Sequence, residues 1–171
     1  MRKNLTLAFF ALFCALTAAA QLHNDDVHVH QAVSRQNYRQ YLRIPDIGGY
    51  ITLKCDFHVH SDISDGQVWP VGRVNEAWND GLDAIAMTDH GPAMPGGAHL
   101  YHFWNLTALP QQIAGVRVLR GVEANIIDSR GGLDVPADIL DRLDIVLAGL
   151  HGGCIRAGTT ADNTRAMLAA M

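Results

Sequence analysis

Cysteine is scarce in this sequence, which argues against a small scaffold stabilised by many disulfides. Only Cys14, Cys55 and Cys154 occur among 171 residues. If the first is lost with a leader peptide, the remaining pair permits one disulfide in an oxidising compartment, or thiol ligands at a metal site. The neighbouring residues favour neither alternative. We therefore expect Cys55 and Cys154 to be buried free thiols.

Basic residues are also few, and this argues against nucleic-acid binding. The chain has 13 Lys and Arg against 17 Asp and Glu, and loss of Arg2 and Lys3 with a leader would leave 11 against 17. Binding to nucleic acid without sequence preference depends on a basic surface, so we expect no nucleic-acid partner. A phosphorylated substrate would then need positive charge from another source, such as bound metal.

The N-terminal apolar run, Leu5–Leu16, is too short to span a bilayer comfortably. It follows two basic residues and precedes small residues that end at Ala20, which is the pattern of a signal peptide. We predict a signal peptide over residues 1–20, and a protein that is exported to the periplasm or secreted, with no membrane attachment after cleavage. A retained membrane anchor is the less favoured alternative.

Residues 21–49 are polar and show little periodicity, so we interpret them as a linker or N-terminal arm. His28 and His30 lie in this arm without a preceding strand pattern, and we expect them to be solvated. Pro45 and the pair Gly48-Gly49 mark the entry into a domain that we assign to residues 50–171.

Within this domain, apolar strand patterns alternate with helical ones. This order predicts an α/β fold with a parallel sheet, and the nearly continuous apolar character of the strands suits burial on both faces. The predicted helices cover residues 70–81, residues 98–113 with an interruption at Pro110, residues 137–142, and the stretch from Thr159 or Thr160 to Met171. The predicted strands are Tyr50–Leu53, Leu82–Met87, Val116–Val122 and Asp144–Leu150.

A residue type that binds metals follows each predicted strand. One buried His or Glu at such a position is usually a hydrogen-bonded structural group. Because a metal-binding residue type follows all of the predicted strands, we favour a metal site. In parallel α/β folds, functional residues collect at the C-terminal ends of strands. Residues two apart on a strand share a face, so the first two histidines project together. The residues concerned are His58 with His60, His90, Glu123 and His151.

Four motifs surround these residues in order along the chain. They are Asp56-Phe57-His58-Val59-His60-Ser61 with Ser64-Asp65-Gly66, Thr88-Asp89-His90, Gly121-Val122-Glu123-Ala124-Asn125, and Leu150-His151. Together they resemble the PHP (polymerase and histidinol phosphatase) superfamily of metal-dependent phosphoesterases. The resemblance covers residues 50–171 and, from Ile85 onward, is greatest to the bacterial phosphatases that bind three zinc ions. It implies a distorted seven-stranded (β/α) barrel, of which this chain would form the N-terminal part.

The resemblance also implies the metal ligands. His58 and His60 would bind a first metal, Glu123 would bridge it to a second that His151 binds, and His90 with Asp65 would bind a third. The three-zinc phosphatases place a histidine near the position of Asp65, so this harder ligand could favour Mn²⁺ or Fe over Zn²⁺. Asp56 and Asp89 would accept hydrogen bonds that orient the imidazole rings.

The activity that the resemblance implies is hydrolysis of a phosphomonoester by a metal-activated water. Asp65 and Glu123 would act in catalysis, and Arg156 would contact the phosphate, for which Arg120 is a weaker candidate. His99 and His102 carry little weight as cleft-lining residues. An inactive metal-binding module is the main alternative; export and acidic charge argue against a phosphodiesterase or exonuclease.

The family has later strands that supply a further His and an Asp-x-His pair, and this sequence stops before them. A closed barrel of this general kind takes about 250 residues. We therefore expect the sequence to be an N-terminal fragment or a shortened product. Its final strand, Asp144–Leu150, would then leave an open edge through which chains could associate.

Overall fold

The computed structural model describes residues 38–156 and 158–171. The predicted signal peptide and the part of the arm that contains His28 and His30 lie outside the described residues. Within the described residues, none of the helices combines the length and the apolar character needed to cross a bilayer. The elements are β1 (Cys55–Val59), α1 (Pro70–Asn79), β2 (Ala84–Met87), α2 (Leu100–Leu106), β3 (Gln112–Ile113), β4 (Val116–Asn125), α3 (Ala137–Leu140), β5 (Ile145–Gly149) and α4 (Thr160–Ala170).

A parallel sheet organises these elements, as the sequence predicts. Strand β1 pairs with β2, β2 with the first half of β4, and β5 with the second half of β4, and all of these pairings are parallel. The register places Ala84 of β2 opposite Arg117, and Ile145 of β5 opposite Gly121. The result is a mixed α/β fold whose sheet is consistent with part of a (β/α) barrel.

Helices α1, α2 and α3 cover one face of this sheet. Alternate residues of β4 supply apolar side chains to that face, where Val116 and Val118 pack with α1 and Val122 and Ala124 pack with α2 and α3. Because side chains alternate across a strand, the intervening residue Glu123 points to the opposite face. The packing of the helices therefore positions the carboxylate on the face that would be the interior of a barrel.

The first predicted strand is wrong in its position. Tyr50, Ile51 and Leu53 are 81%, 78% and 65% exposed, and the strand begins only at Cys55. Tyr50 instead closes a tight turn with Ile47, through backbone hydrogen bonds in both directions. The stretch Tyr50–Leu53 has the composition of a strand, but a residue's preference for strands depends on packing against neighbouring strands. The pairing with β2 begins only at Cys55, so the residues before it have no such neighbour.

The region predicted as one helix over residues 98–113 contains a helix and a strand. Helix α2 ends at Leu106, and Gln112 and Ile113 form β3, which pairs antiparallel with the start of β4. Ala114 and Gly115 join the two strands with φ values of 50° and 87°. Two successive residues with positive φ are typical of the type I′ turn that closes a β-hairpin.

Both cysteines carry free thiols and are half-buried rather than fully buried. Burial raises the pKa of Cys55, with a further contribution from nearby Asp83, and burial likewise raises the pKa of Cys154. The prediction of free thiols agrees with the structure, while the prediction of complete burial is wrong for both.

Candidate metal centre

Apart from Asp65, each candidate ligand lies at or just beyond the C-terminal end of a parallel strand. His58 is the fourth residue of β1 and His60 follows that strand, while His151 lies two residues after β5. His90 continues the pairing of β2 and β4, since it forms an isolated parallel bridge with Glu123. The register of the sheet therefore brings together residues that are far apart in the sequence.

The carboxylate of Glu123 is the centre of the cluster. Its Oε2 atom lies 3.1 Å from Nε2 of His58, 3.0 Å from Nε2 of His60 and 3.0 Å from Nδ1 of His90. Its Oε1 atom lies 3.2 Å from Nε2 of His151. One carboxylate thus has four imidazole rings around it, and its two oxygens face different rings.

These short distances are not accompanied by satisfied hydrogen bonds. Nε2 of His60, Nδ1 of His90 and Oε2 of Glu123 are buried, yet none has a hydrogen-bond partner in the described part of the chain. Unpaired polar atoms that are buried cost free energy, and native proteins contain few of them. Imidazole nitrogens and carboxylate oxygens are the ligands that divalent transition metals accept, so the donor set fits a bound cation.

The ionisation of the cluster also suits a cation. Burial alone would raise the pKa of Glu123, but the surrounding imidazoles outweigh it and hold that pKa below its ordinary value. Burial lowers the pKa of His90, although the charge of Glu123 opposes this effect. An ionised carboxylate beside a neutral imidazole is the combination that metal binding requires.

Asp65 links two of the rings on the other side of the cluster. Its Oδ1 atom lies 2.6 Å from Nδ1 of His60, and its Oδ2 atom lies 3.5 Å from Nε2 of His90. The hydrogen bond with His60 lowers the pKa of Asp65 below its ordinary value. His60 therefore faces Asp65 with Nδ1 and Glu123 with Nε2.

Three groups of side chains in the described residues have ligand atoms close enough to share one ion. Within each group these atoms all lie within 4.8 Å of one another. His90 belongs to two groups, so it is not restricted to the site with Asp65 that the family resemblance implies. The groups are His58 with His60 and Glu123, His60 with Asp65 and His90, and His90 with Glu123 and His151.

Asp89 holds the loop between the first ligands rather than an imidazole of the cluster. This fully buried carboxylate accepts hydrogen bonds from the backbone N–H and hydroxyl of Ser61 and from the hydroxyl of Ser64. Burial would raise the pKa of Asp89, but the nearby His102 imidazole and these hydrogen bonds lower it below its ordinary value. Asp89 thereby fixes the turn that carries His60 and Asp65.

Asp56 and Arg120 have roles other than those expected from the sequence. Asp56 is exposed and accepts a hydrogen bond from the backbone N–H of His58, not from its ring. Arg120 donates two hydrogen bonds to the carboxylate of Asp144 and one to the carbonyl of Thr107. The guanidinium of Arg120 is thus engaged by Asp144 and Thr107, and its contact with a phosphate stays a prediction.

The remaining candidates are Arg156, His102 and His99. Arg156 is exposed and makes no hydrogen bond or ion pair with any other residue that the structure describes; its contact with phosphate stays a prediction. Nε2 of His102 lies 3.2 Å from Oδ2 of Asp89. This ring therefore contacts the carboxylate that fixes the loop of His60 and Asp65, and not the cluster itself. His99 caps the N-terminus of α2 by accepting from the backbone N–H of Tyr101.

Asn125 and Asp134 are functional candidates that the sequence did not reveal. Asn125 is fully buried, and its side-chain oxygen lies 2.7 Å from Nδ1 of His151. Its side-chain nitrogen donates to Asp134 and to the carbonyl oxygen of Gly91. A polar residue two positions after Glu123 on the same face of β4 is a signal for Asn125, but nothing in the sequence indicates Asp134.

A cleft of about 620 Å³ opens beside the cluster. His58 and Glu123 line one side of it, and apolar residues of β5 and α4, including Val146 and Met167, line the other. His58 is the most open of the histidines that contact Glu123, with 54% of its side chain exposed. The cluster is therefore accessible to a small molecule from the side of β1.

Comparison with known proteins gives consistent similarities. A family model described as the PHP domain matches residues 56–169. A probable phosphatase of Thermoanaerobacter sp. (strain X514) is 48% identical over 122 residues, which cover 70% of this chain and 49% of that protein. A probable phosphatase of Caldanaerobacter subterraneus subsp. tengcongensis is 44% identical over 124 residues, covering 71% of this chain and 48% of that protein. The chain thus spans about half the length of these relatives.

A solved structure is also similar in sequence. It is a two-domain protein from Bacteroides vulgatus that contains a predicted PHP-like metal-dependent phosphoesterase, with 41% identity and a TM-score of 0.42. The match covers 51% of this chain and 26% of that one.

Proposed function

This chain belongs to the PHP domain family, and from that membership we propose that it contributes the Glu123 cluster of a metal-dependent phosphoesterase. The observation that carries the proposal is the arrangement around Glu123, where four imidazole nitrogens lie within 3.2 Å of one carboxylate. Three of the buried atoms in this arrangement have no hydrogen-bond partner in the described residues. A divalent cation would satisfy them.

The proposed ligands are those that the structure groups together. His58 and His60, together with one oxygen of Glu123, would bind one cation. His151, together with the other oxygen of Glu123, would bind a second cation. Asp65 and His90 would hold a third, and His90 is also near enough to Glu123 to serve the second. We propose zinc, with manganese or iron as alternatives, since Asp65 supplies a hard oxygen ligand.

When bound, such cations lower the pKa of a coordinated water and neutralise charge on phosphoryl oxygens. The protein residues supply what this chemistry needs. Glu123 keeps its negative charge between the rings, and burial keeps His90 neutral and available as a ligand. Asp65 orients His60 by accepting a hydrogen bond from Nδ1–H, which leaves Nε2 free. Asp89 fixes the loop that carries both of these residues.

A phosphomonoester is the proposed substrate class. The relatives that are 44–48% identical are named probable phosphatases, and the accessible cleft beside His58 has room for a small phosphorylated molecule. No nucleic acid is proposed as a partner, because the sequence is acidic. Arg156 is the proposed phosphate contact from outside the cluster. An inactive metal-binding module is the alternative.

We also propose that the protein acts outside the cytoplasm, because residues 1–20 have the pattern of a signal peptide.

We further propose that the chain can associate with itself. In the described residues, β1 and β5 each pair with a single strand, so each leaves one edge open. Backbone groups at an open edge can pair with another chain. Sedimentation velocity over a range of concentrations tests this, because a sedimentation coefficient that does not change and corresponds to a monomer would contradict self-association.

The activity is tested with an aryl phosphomonoester and an aryl phosphodiester, each supplied with Zn²⁺ or Mn²⁺. We expect metal-dependent release of phosphate from the monoester, and loss of that release in Glu123→Gln. Asp141→Asn is a suitable control, because this carboxylate is exposed and lies outside the cluster. Metal binding without hydrolysis of either substrate would favour the inactive module, and hydrolysis of the diester alone would contradict the phosphatase.

A further inference from the structure

The buried amide of Asn125 joins three separate parts of the site. Its nitrogen donates to Oδ2 of Asp134 at 2.5 Å and to the carbonyl oxygen of Gly91 at 3.1 Å. Its oxygen lies 2.7 Å from Nδ1 of His151. Asn125 is fully buried, so water does not compete for these contacts.

The chemistry of these partners determines which way the amide faces. A carboxylate and a carbonyl oxygen accept hydrogen bonds but cannot donate them. The nitrogen of Asn125 must therefore face Asp134 and Gly91, which leaves its oxygen to face His151. An amide oxygen is an acceptor, so Nδ1 of His151 must carry the proton. In a neutral imidazole the other nitrogen, Nε2, then has a free lone pair, and it lies 3.2 Å from Oε1 of Glu123.

Asp134 is itself held so that the amide cannot rotate freely. Its carboxylate also accepts from the backbone N–H of Asn125 at 2.7 Å and from the backbone N–H of Ala93 at 2.9 Å. A Cβ atom at Gly91 would lie only 2.4 Å from Oδ2 of Asp134, so the close approach depends on glycine at this position. The same carboxylate thus fixes Asn125 and the loop that follows His90.

We propose that Asn125, oriented by Asp134, is a positioning residue that holds His151 in the tautomer with the proton on Nδ1. The inference rests on the proposed metal-binding role of His151 and extends it. With Nε2 already free, the ring binds a cation without a change of tautomer. Loss of such supporting hydrogen bonds typically weakens metal binding by about 10- to 100-fold.

The tautomer can be measured in the metal-free chain by two-dimensional NMR that correlates the ring nitrogens and carbon-bound protons of ¹⁵N-labelled histidine. The spectra are recorded at about pH 8. We expect His151 to carry its proton on Nδ1 in the native chain, and to populate the Nε2–H form in Asn125→Ala. Asn105→Ala is the matched control, because Asn105 is exposed on α2. A native His151 with its proton on Nε2 would overturn the proposal without any variant.

Asp134→Ala provides a second variant in case Asn125→Ala does not fold. Without the carboxylate, the side-chain nitrogen of Asn125 loses one of the two acceptors that orient its amide, and rotation of that amide becomes less costly. Rotation presents a donor to Nδ1 of His151, so we expect the Nε2–H form to increase. An unchanged tautomer in every folded variant would contradict the proposal.

Titration with Zn²⁺ separates this proposal from the proposed function. We expect the Kd for Zn²⁺ to rise about 10-fold in Asn125→Ala and to stay unchanged in Asn105→Ala. Equal affinity in native chain and Asn125→Ala would overturn the positioning role. A native chain that binds no Zn²⁺ would contradict the proposed function, whereas the tautomer measurement would still decide the role of Asn125.

Discussion

Oε2 of Glu123 lies 3.0 Å from Nδ1 of His90, although neither atom has a hydrogen-bond partner in the described residues. The sheet register enforces this approach, because the two residues form a parallel bridge that continues the pairing of β2 with β4. Backbone hydrogen bonds hold the pair on both sides, from Glu123 N–H to the carbonyl of Asp89 and from Gly91 N–H to the carbonyl of Glu123. The backbone therefore brings two candidate metal-ligand atoms together.

Glu123→Ala is expected to lower metal content more than His58→Ala. Glu123 contributes to two of the groups that could share an ion, whereas His58 contributes to one. Without the carboxylate, neighbouring cations would also repel each other with less negative charge between them. Elemental analysis of the purified variants provides the measurement. Equal metal loss in the two variants would contradict a bridging role for Glu123.

Gly91→Ala is expected to destabilise the fold by about 1–3 kcal/mol, as overpacking of a tight contact typically does. The new Cβ would lie 2.4 Å from the Asp134 carboxylate. Gly152→Ala is the control, since a Cβ there has no neighbour within 4 Å. Urea unfolding gives the free energies. If Gly91→Ala costs the same when Asp134 is also replaced by alanine, the two residues are not coupled and the packing argument is wrong.

Asp144→Asn is expected to lower the free energy of unfolding at neutral pH by about 0.5–1.5 kcal/mol, since the pair is partly open to solvent. The Arg120 guanidinium, which donates two hydrogen bonds to Asp144, holds the pKa of that carboxyl below its ordinary value. A depressed pKa contributes stability above the ordinary value of about 3.9, and this contribution is lost as the pH falls through the folded-state pKa.

The difference between native chain and Asp144→Asn should therefore shrink below about pH 4. Asp141→Asn should change stability by less than about 0.5 kcal/mol, because this residue is exposed. Denaturation curves measured at several pH values test both expectations. A difference that stays constant down to low pH would show that the charge of Asp144 is not its source.

The mature protein is expected to begin at Gln21 and to be found outside the cytoplasm. The sequence before this residue has the pattern of a cleaved signal peptide. Mass spectrometry of the N-terminal peptide from fractionated cells is the test. A cytoplasmic protein that retains Met1 would contradict the proposal.

The sequence predicts the sheet well where apolar pattern and pairing agree. The prediction for β2 and β5 was correct because their apolar runs are short and end at turn signals, and α1 begins at Pro70 as predicted. The strand Tyr50–Leu53 was wrong because an apolar segment forms a strand only where a partner is available. The two-residue strand β3 was missed, since its pairing depends on a hairpin turn at Ala114 and Gly115.

The site is predictable to the extent that its ligands follow strands. The parallel topology converts residues such as His90 and Glu123, at the ends of different strands, into neighbours. The supporting contacts do not follow from such a pattern. Asp134 lies in a loop and accepts a hydrogen bond from the backbone of Asn125. Arg120 on β4 donates to Asp144, which directly precedes the paired strand β5. Neither relationship has a periodicity that the sequence reveals.

The most direct test of the metal centre is an anomalous difference map from crystals of this chain grown with Zn²⁺, recorded at the zinc absorption edge. We expect a peak within ligand distance of the Glu123 carboxylate and of the His58 and His60 rings, at about 2.0–2.2 Å from the ligating atoms. A map with no peak beside Glu123, in crystals whose zinc lies only elsewhere on the protein, would contradict a metal centre at this carboxylate.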